Sequence, residues 1–442
     1  MSPFLDLEPW RGAFRFETPL PGSKSLTLRD CGIAALAEGE TLVRYPGEAD
    51  DYWRMKDCLR RLGLAVDDSR EDAVRITGRG GRFADGRIEL DVGQSAVTAR
   101  LMLAFAALRE GETAIDAHIS MRKRPNKDLT DALRTLGATI ESALDGFLPA
   151  TVRGARLQGP VRVPGNISSQ YLTSLLIIAP LLEGGLTIEV EGDLTSKPYV
   201  DLTIDEMAKF GVRVENHGYR RLVVGRQGYR PGTIDVEGDA SAASYFAALA
   251  VLHGGCVTLT NLGSGTRQGD YAFLTLCERL GARVERAPGR TRIQGPRELA
   301  AGFEGAVDMT AMPDVAPTLM MLCPFLGRPT RITGLATLRV KECDRIAAPT
   351  RELRKLGVTV EEGPDYMVIE PLADASTRAA PATPVEIETY HDHRIAMSFG
   401  VLGSRLPGLR ILDPGCVAKT YPNYWRDWNL ARDAAATGHR DS

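Results

Sequence analysis

The stretch Ala34-Ala35-Leu36-Ala37-Glu38-Gly39-Glu40-Thr41-Leu42 ends a helix-like run of small and apolar residues at a glycine and continues into a β-like segment. The same arrangement recurs five more times, at residues 106–114, 180–187, 249–257, 324–330 and 402–409. Self-similarity at an interval of about 70–80 residues is typical of a repeat architecture. The pattern therefore predicts six related units.

A second series of glycines lies between the members of the first. It ends five amphipathic helix-like segments, each followed by a strand of alternating polarity, at residues 59–63, 133–137, 207–211, 277–281 and 353–357. Two interleaved series in phase predict that each unit contains two helices and several strands. If the six units divide into two groups of three, the chain forms two α/β domains. One domain is predicted at residues 22–238 and the other at residues 1–21 plus 239–442.

The composition is that of an ordinary globular protein. The 442 residues (48.0 kDa) are 43% hydrophobic and 25% charged, and the formal net charge is -3. Without a basic excess, no long-range positive field would draw the chain to nucleic acid or to an anionic membrane, so we expect neither as a partner. The seven cysteines are scattered without a C-x-x-C motif, and the acidic N-terminus is unlike a secretion signal, which favours the reducing cytoplasm.

Cations stand at the beginnings of several predicted helices, where the positive end of the helix dipole disfavours them. They are Lys24, Arg29, Arg100 and Arg394, and further basic clusters lie at residues 122–124, 339–345 and 418–420. Cation and dipole would act together on a bound anion, so the pattern indicates a site for several negative charges. The alternative is a solvated surface helix in which Lys341 and Arg345, four residues apart, share one face and Glu342 points elsewhere.

Two other kinds of site lack support in the sequence. The stretch Gly22-Ser23-Lys24-Ser25 has a serine between the glycine and the lysine, so it does not match a nucleotide phosphate loop. His391 and His393 have no acidic or cysteine partner at a metal-ligand spacing, so no metal site is expected.

Nine short strings, in order along the chain, carry a family resemblance. They are Pro21-Gly22-Ser23-Lys24-Ser25, Arg124-Pro125, Ser168-Ser169-Gln170-Tyr171-Leu172, Ser196-Lys197-Pro198-Tyr199-Val200-Asp201, Glu237-Gly238-Asp239-Ala240-Ser241, Pro313-Asp314, Arg339-Val340-Lys341-Glu342 with Asp344-Arg345, Asp392-His393-Arg394 and Ala418-Lys419-Thr420. On the basis of these strings, the chain resembles the 5-enolpyruvylshikimate-3-phosphate (EPSP) synthase family over nearly its whole length. The resemblance implies an inside-out α/β barrel of the enolpyruvyl transferase type, with six βαβαββ units, three per domain, and the active site in the cleft between the domains.

The same resemblance implies a reaction. The chain would transfer the enolpyruvyl group of phosphoenolpyruvate to the 5-hydroxyl of shikimate 3-phosphate and release phosphate, by addition and elimination through a tetrahedral intermediate. It would be a 3-phosphoshikimate 1-carboxyvinyltransferase of the shikimate pathway, which leads to chorismate and the aromatic amino acids. No metal or organic cofactor is expected, and a monomer is expected for a two-domain cleft enzyme.

The resemblance also implies which residues of this chain form the active site. Catalysis is expected from Lys24, Asp314, Glu342 and Lys419. Shikimate 3-phosphate is expected to contact Ser25, Arg29, Ser168, Ser169, Gln170, Ser196, Tyr199, Asp314, Thr337 and Lys341. Phosphoenolpyruvate is expected to contact Lys24, Gln94, Ala96, Arg124, Gln170, Arg345, His393, Arg394 and Lys419. Asp314 is the natural base for the hydroxyl, whereas the choice among Lys24, Glu342 and Lys419 for the other proton transfers stays open.

The chain departs from the family pattern at residues 93–101. It reads Gly93-Gln94-Ser95-Ala96-Val97-Thr98-Ala99-Arg100-Leu101, where the family usually has Gly-Asn-Ala-Gly-Thr-Ala-x-Arg-Pro. Ala96 replaces a glycine beside the expected phosphoenolpyruvate pocket, and its methyl group would occupy space that the longer inhibitor glyphosate needs. Because overpacking costs about 1–3 kcal/mol, we expect glyphosate insensitivity. The alternative is that the segment merely repacks the start of the helix.

Two other functions stay open from the sequence. The sister enzyme that acts on a UDP-sugar shares the fold, but its catalytic cysteine lies on a loop corresponding to residues 111–128, where this chain has no cysteine. A non-catalytic binding scaffold, or a transferase for another hydroxylated acceptor, is compatible with the altered segment at 93–101. The presence of Asp314, Glu342 and the candidate cations argues for catalysis.

Overall fold

The computed structural model describes residues 2–165, 168–373, 375 and 377–437. The chain divides into two compact units. The first unit is Gly22–Val236, and the second unit is Met1–Pro21 together with Glu237–Ser442. No helix in the described residues is long and apolar enough to span a bilayer.

The secondary structure begins with two short strands, β1 (Phe4–Leu7) and β2 (Arg15–Thr18), which belong to the second unit. The helices of the first unit are α1 (Lys24–Leu36), α2 (Asp50–Arg61), α3 (Ala96–Leu108), α4 (Ile119–Arg122), α5 (Lys127–Leu136), α6 (Ser169–Ile178) and α7 (Lys197–Lys209). Its strands are β3 (Glu38–Arg44), β4 (Ala65–Arg70), β5 (Ala73–Arg79), β6 (Ile88–Asp91), β7 (Glu112–Asp116), β8 (Thr139–Ser142), β9 (Ala150–Arg153), β10 (Val161–Pro164), β11 (Leu186–Glu191), β12 (Glu215–His217), β13 (Arg221–Val224) and β14 (Thr233–Asp235).

The second unit continues with the same alternation of elements. Its helices are α8 (Ala240–His253), α9 (Phe273–Arg279), α10 (Ala316–Leu322), α11 (Ala347–Lys355), α12 (His393–Gly403) and α13 (Tyr424–Thr437). Its further strands are β15 (Cys256–Leu259), β16 (Arg283–Ala287), β17 (Arg290–Gln294), β18 (Ala306–Asp308), β19 (Thr330–Thr333), β20 (Val360–Glu362), β21 (Met367–Ile369), β22 (Val385–Ile387) and β23 (Leu409–Leu412). Its short 3₁₀ helices include Gly269–Ala272, Pro313–Val315, Ala336–Val340 and Pro414–Lys419.

One sheet topology recurs through the described residues. In the sheet ordered β6-β7-β9-β8, the first two strands are parallel and are connected through α3, whereas β9 pairs antiparallel with both β7 and β8. The sheets β10-β11-β13-β12 and β18-β19-β21-β20 have the same order and directions. This order is that of a βαβαββ unit, which confirms the predicted repeated architecture.

Three of the sheets are completed by strands that are distant in sequence. In the first unit β14 pairs with β3, so the end of the unit lies beside its beginning. In the second unit β2 pairs with β15, and β1 pairs with β23. The three-stranded sheet β1-β23-β22 therefore includes residues from both ends of the chain.

The interior of each unit is made of helices, and the sheets lie outside them. In the first unit α1, α3 and α6 contact one another and are buried on nearly every side, and α8, α10 and α12 do the same in the second unit. A helix that is apolar all round is expected in a core. Small residues permit the close packing, because a Cβ atom on Gly32 of α1 would lie 3.1 Å from Leu101 Cδ1 of α3. The predicted inside-out arrangement is confirmed within each unit.

The second series of glycines also has its predicted place. Helix α5 ends at Gly137, whose φ of +121° is a conformation that residues with a Cβ rarely adopt. Such a glycine lets the chain leave the helix and enter β8 directly. The buried helices instead begin with the polar residues that the sequence analysis singled out, and these beginnings carry the candidate site.

Candidate active site

The first polar cluster lies in the first unit and begins at Lys24, the first residue of α1. Its Nζ lies 3.7 Å from Oδ2 of Asp51, a buried residue in the first turn of α2. A cation at a helix N-terminus opposes the helix dipole, and the Asp51 carboxylate offsets that cost. The Lys24 side chain is 15% exposed, so it can also meet an anionic ligand.

Arg29, one turn later in α1, is buried and is bonded by uncharged oxygen atoms. Its Nε donates to Thr203 Oγ1 at 2.9 Å, its Nη1 to the Ser25 carbonyl oxygen at 2.8 Å, and its Nη2 to Thr173 Oγ1 at 3.3 Å and the Tyr199 carbonyl oxygen at 3.4 Å. Burial lowers the pKa of Arg29 to about 10. These contacts tie α1 to α6 and α7.

Arg100 joins α3 to the segment that carries Arg124 and to the beginning of α6. It donates to Asn126 Oδ1 at 3.3 Å, to the Pro125 carbonyl oxygen at 3.4 Å and to Gln170 Oε1. The guanidinium also lies 5.0 Å from the centre of the Tyr171 ring. Tyr171 in turn donates to the Pro125 carbonyl oxygen at 2.7 Å, so the predicted Arg124-Pro125 string is fixed beside Gln170.

Three further predicted residues of the first unit lie at helix beginnings. Ser168 caps α6 by accepting from the Gln170 backbone N–H at 3.3 Å, and Ser169 is buried in the first turn. Ser196 precedes α7 in a left-handed conformation with φ of +56°. A non-glycine residue there stores strain, which is typical of functional sites.

Asp314 is the centre of the polar cluster in the second unit. Its carboxylate lies 3.2 Å from Lys341 Nζ, 3.3 Å from Arg345 Nη1 and 3.1 Å from Arg394 Nη2. Asp314 is in the 3₁₀ helix Pro313–Val315, directly before α10. Three cations on one carboxylate favour its charged form and fix its orientation.

Glu342 and Asp392 complete this second cluster. Glu342 accepts from Arg345 Nη2 at 2.8 Å and from Lys419 Nζ at 2.9 Å. Asp392 accepts from Arg345 at 2.7 and 3.0 Å and also caps α12 by accepting from the Arg394 backbone N–H at 2.9 Å. Although burial lowers the pKa of Arg345, the carboxylates of Asp392, Glu342 and Asp314 raise it above its ordinary value overall.

The surface-helix reading of residues 339–345 is wrong. The 3₁₀ helix Ala336–Val340 ends before Lys341, which has an extended backbone, and α11 begins only at Ala347. The backbone N–H of Arg345 donates to the Leu338 carbonyl oxygen, so the chain turns back on itself. Glu342 therefore does not point away from Arg345 but contacts it, and Arg345 is buried rather than solvated.

The other predicted residues have more varied surroundings. Thr337 lies within the 3₁₀ helix Ala336–Val340, and its hydroxyl is buried. His393 is the fully buried first residue of α12, with its Nδ1 3.6 Å from Asp392 Oδ1. Gln94 is half-buried beside Ser95, whose side chain caps α3, and Ala96 is the first residue of that helix with 7% of its surface exposed.

Sequence reasoning missed two carboxylates that contact the clusters, Asp51 and Asp270. Asp51 gave a weak signal, because it is an acidic residue in the first turn of an amphipathic helix. Asp270 gave none, since it lies in the short 3₁₀ helix Gly269–Ala272 before α9, which no pattern in the sequence indicated. Among the described residues, no group of three or more His, Cys, Asp or Glu side chains is arranged to hold a metal ion.

Fold and clusters together define a class of protein. Repeated βαβαββ units with buried helices, whose beginnings carry cations and carboxylates, describe an α/β enzyme for anionic substrates. Residues 14–428 match the family model of EPSP synthase (3-phosphoshikimate 1-carboxyvinyltransferase). The chain belongs to the EPSP synthase family, whose members are transferases of the shikimate pathway and of aromatic amino acid biosynthesis.

Individual relatives agree with the family model. The 3-phosphoshikimate 1-carboxyvinyltransferase of Ralstonia pickettii is 41% identical over 95% of this chain and 98% of its own length. That of Ralstonia nicotianae is 42% identical over the same shares. The solved structure of EPSP synthase from Acinetobacter baumannii, 26% identical, superposes with a TM-score of 0.77 over 96% of this chain and 97% of that one.

Proposed function

We propose that the chain transfers the enolpyruvyl group of phosphoenolpyruvate to the 5-hydroxyl of shikimate 3-phosphate and releases phosphate. The observation that carries the proposal is the Asp314 carboxylate held by Lys341, Arg345 and Arg394. The cations lower the basicity of this carboxylate but keep it ionised and oriented, so that it can accept from the substrate hydroxyl in a site that also binds phosphate and carboxylate groups.

The proposed chemistry is an addition followed by an elimination. The 5-hydroxyl oxygen bonds to C2 of phosphoenolpyruvate, its proton passes to Asp314, and C3 takes up a proton to give a tetrahedral phosphate ketal. C3 then loses a proton, the C2–O bond to phosphate breaks, and the C2=C3 double bond forms again. Cations close to the departing phosphate lower the energy of the charge that develops there.

Glu342, Lys419 and Lys24 are the proposed partners for the proton at C3. Glu342 bonds Lys419 at 2.9 Å, so a proton can be relayed between a carboxylate and an amine without a large movement. Lys24 is a candidate from the first unit, with its side chain partly exposed and its Nζ beside Asp51. Separate alanine variants of the three residues, measured for the addition and the elimination steps by single-turnover kinetics, assign the roles.

We propose two sets of substrate contacts. Shikimate 3-phosphate would be held by Ser25, Arg29, Ser168, Ser169, Gln170, Ser196, Tyr199, Asp314, Thr337 and Lys341. Phosphoenolpyruvate would be held by Lys24, Gln94, Ala96, Arg124, Gln170, Arg345, His393, Arg394 and Lys419. The bonding of Arg29 to uncharged oxygens supports the first set, because a guanidinium of this kind gains most from an arriving anion.

The reaction is tested by measuring phosphate release from phosphoenolpyruvate with three acceptors. Release with shikimate 3-phosphate, and little with shikimate or UDP-N-acetylglucosamine, is the expected result. Release only with UDP-N-acetylglucosamine would assign the chain to the sister activity. No release with any acceptor, from a folded protein that binds shikimate 3-phosphate, would leave the binding scaffold as the function.

We also propose that Ala96 makes the enzyme insensitive to glyphosate. Ser95 caps α3 by accepting from the Thr98 backbone N–H at 3.4 Å, and its hydroxyl lies 2.8 Å from Thr98 Oγ1. This bonding stiffens the beginning of α3, so the Ala96 methyl group cannot easily move aside. Ala96→Gly should lower the inhibition constant of glyphosate about 5- to 150-fold.

The matched control for this variant is Ala99→Gly, a buried alanine of the same helix. It makes the same chemical change without altering the first residue of α3, so glyphosate inhibition should stay as in the parent enzyme. Equal sensitivity of the parent and Ala96→Gly would refute the proposed role of the methyl group.

We propose that the enzyme acts as a monomer in the cytoplasm. All seven cysteines are free thiols, which suits a reducing compartment. Sedimentation of the purified protein should give a mass near that of one 48.0 kDa chain at micromolar concentration. A stable dimer under these conditions would contradict the monomer.

A further inference from the structure

Asp270 is a buried carboxylate beside the second cluster. It lies in the 3₁₀ helix Gly269–Ala272 with only 4% of its surface exposed. The preceding Gln268 holds this segment against the beginning of α8, because its amide donates to the Gly238 carbonyl oxygen at 2.8 Å and accepts from the Ala240 backbone N–H at 3.0 Å. Asp270 is thus fixed where α8 begins.

A chain of hydrogen bonds leads from Asp270 to Asp314. The Ser241 hydroxyl donates to Asp270, and Ser241 Oγ accepts from Arg394 Nη2 at 3.3 Å. The same Nη2 donates to Asp314 at 3.1 Å. Ser241 does not serve as the cap of α8, since Asp239 accepts from the backbone N–H groups of Ser241 and Ala242.

The direction of these bonds depends on the charge of Asp270. An ionised carboxylate only accepts hydrogen bonds, so Ser241 must donate to it and turn an oxygen lone pair toward Arg394. A protonated carboxyl, or an amide in its place, can donate to Ser241 instead. The Ser241 hydrogen is then no longer held on Asp270, so the oxygen lone pair that accepts from Arg394 is no longer fixed in direction.

Titratable and charged groups surround Asp270 from each neighbouring element. Burial raises its pKa to about 6, the Asp314 carboxylate adds to the rise, and Arg394 and the Ser241 hydroxyl oppose it. Asp239, at the beginning of α8, contributes a further small rise. Asp270 therefore changes charge within the range in which enzymes are assayed.

We propose that Asp270 is a positioning residue for Arg394: through Ser241 it orients the guanidinium that holds phosphoenolpyruvate. This inference rests on the proposed role of Arg394 in the transferase reaction. In this role Asp270 does not touch the substrate, but it determines the orientation of one cation, Arg394, that binds the substrate.

The test compares Asp270→Asn with Asp427→Asn. Asp427 is an equally buried carboxylate of the same unit, 4% exposed and bonded by the Tyr421 hydroxyl at 2.7 Å. Asp270→Asn should raise KM for phosphoenolpyruvate about tenfold and leave KM for shikimate 3-phosphate within about twofold, whereas Asp427→Asn should change neither. An unchanged or lower KM for phosphoenolpyruvate in Asp270→Asn would overturn the proposal.

Variants of Ser241 test the hydrogen-bond chain itself. Ser241→Ala should raise KM for phosphoenolpyruvate as Asp270→Asn does, and the double variant should be no worse than either, because both changes break the same chain. Ser241→Thr keeps the hydroxyl and should behave like the parent. Additive effects, or a Ser241→Thr variant as poor as Ser241→Ala, would contradict the chain.

A pH series separates this role from a structural one. Above about pH 6 Asp270 is ionised and the chain is intact, and below that pH the parent should come to resemble Asp270→Asn. The phosphoenolpyruvate phosphate also titrates near pH 6, so the quantity measured is the ratio of the two proteins' KM values with the same substrate. The ratio should fall from about ten at pH 8 to about one at pH 5, and a constant ratio would refute the inference.

Arg394→Lys distinguishes failure of this inference from failure of the proposed function. If Arg394→Lys leaves KM for phosphoenolpyruvate unchanged, the proposed substrate contact itself is wrong. If Arg394→Lys raises it at least about tenfold while Asp270→Asn does not, the contact stands and only the role of Asp270 is lost.

Discussion

Arg29 in the first unit and Arg345 in the second are both 1% exposed, but their hydrogen-bond acceptors are of opposite kinds. Arg29 donates to hydroxyl and carbonyl oxygens, whereas Arg345 donates to the carboxylates of Asp392, Glu342 and Asp314. Their pKa values move accordingly. Burial lowers the pKa of Arg29, and the three carboxylates raise that of Arg345 against the effect of burial.

The difference separates a binding arrangement from a catalytic one. A buried guanidinium among uncharged oxygens keeps a strong attraction for an arriving anion, which suits substrate binding. A guanidinium among carboxylates is neutralised by them, and its hydrogen bonds orient those carboxylates for proton transfer. The comparison predicts that variants of the first kind affect the affinity for shikimate 3-phosphate, and that variants of the second kind affect turnover and stability as well as the affinity for phosphoenolpyruvate.

The largest expected effect is on turnover in Asp314→Asn. The amide cannot accept the hydroxyl proton, so kcat should fall about 10²- to 10⁴-fold. The matched control is Asp308→Asn, an exposed aspartate of the same unit whose carboxylate accepts from the Thr310 backbone at 2.9 Å. Steady-state phosphate release measures both variants. A kcat for Asp314→Asn close to that of the control would remove the proposed base.

The next largest effect is the loss of stability in Arg345→Met. The substitution leaves the buried Asp392 carboxylate and the partly buried Glu342 carboxylate without their guanidinium, which should lower the free energy of unfolding by about 3–5 kcal/mol. Arg286→Met is the control, because Arg286 bonds Glu278 at 2.7 and 2.8 Å in a partly exposed pair of the same unit. The control should lose about 1 kcal/mol or less in urea unfolding. Equal losses would mean that the three carboxylates do not depend on Arg345.

A smaller stability effect, but a clear loss of affinity, is expected for Arg29→Met. Thr173 and Thr203 already lie 2.9 Å apart, and Thr203 donates to the Tyr199 carbonyl oxygen at 2.9 Å, so both hydroxyls keep partners. The free energy of unfolding should change by less than about 1.5 kcal/mol. KM for shikimate 3-phosphate should rise at least about tenfold, since a buried cation that meets the substrate anion is gone.

The control for Arg29 is Arg109, another buried arginine of the first unit. It donates to the Ala84 carbonyl oxygen at 2.9 Å and to Thr113 Oγ1 at 2.7 Å, and burial lowers its pKa as well. Arg109→Met should leave KM for shikimate 3-phosphate unchanged. If it raises this KM as Arg29→Met does, the effect of Arg29 is one of general packing.

The sequence predicted the repeated fold because the signals for it are local. A glycine that ends a helix, an alternating strand and an apolar helix are all encoded within about 10–15 neighbouring residues. Six copies of such signals then indicate the architecture without any knowledge of distant contacts. The cations at helix beginnings were visible for the same reason.

Most partners of those cations could not be predicted, because most of the pairings join residues far apart in the chain. Nothing in the sequence relates Arg345 to Asp392 or Ser241 to Asp270. The helical face assigned to Lys341 and Arg345 failed for a related reason. A long-range requirement, contact of both side chains with Asp314, replaces the regular helix by a turn.

The smallest expected effect concerns Asp30, the neighbour of Arg29, and its dependence on pH. Burial and the Glu206 carboxylate raise the pKa of Asp30 well above its ordinary value, and the two side chains share a hydrogen bond. Asp30→Asn keeps a donor for Glu206, so at pH 7 the free energy of unfolding should stay within about 1 kcal/mol of the parent or exceed it.

The sign of the pH dependence follows from the raised pKa of Asp30. The folded parent holds a proton that the unfolded chain releases above its ordinary pKa of 3.8, so its stability decreases as the pH rises through the window between the two values. Asp30→Asn does not lose stability in this way. Its free energy of unfolding in urea, relative to that of the parent, should therefore increase from pH 4 upward. Asp392→Asn serves as the contrast, because it removes a carboxylate that holds Arg345. If Asp30→Asn destabilises the protein as much as Asp392→Asn does, the Asp30 carboxyl is ionised and acts as a charged partner of Arg29. Arg29 and Arg345 would then no longer differ in having uncharged and charged surroundings.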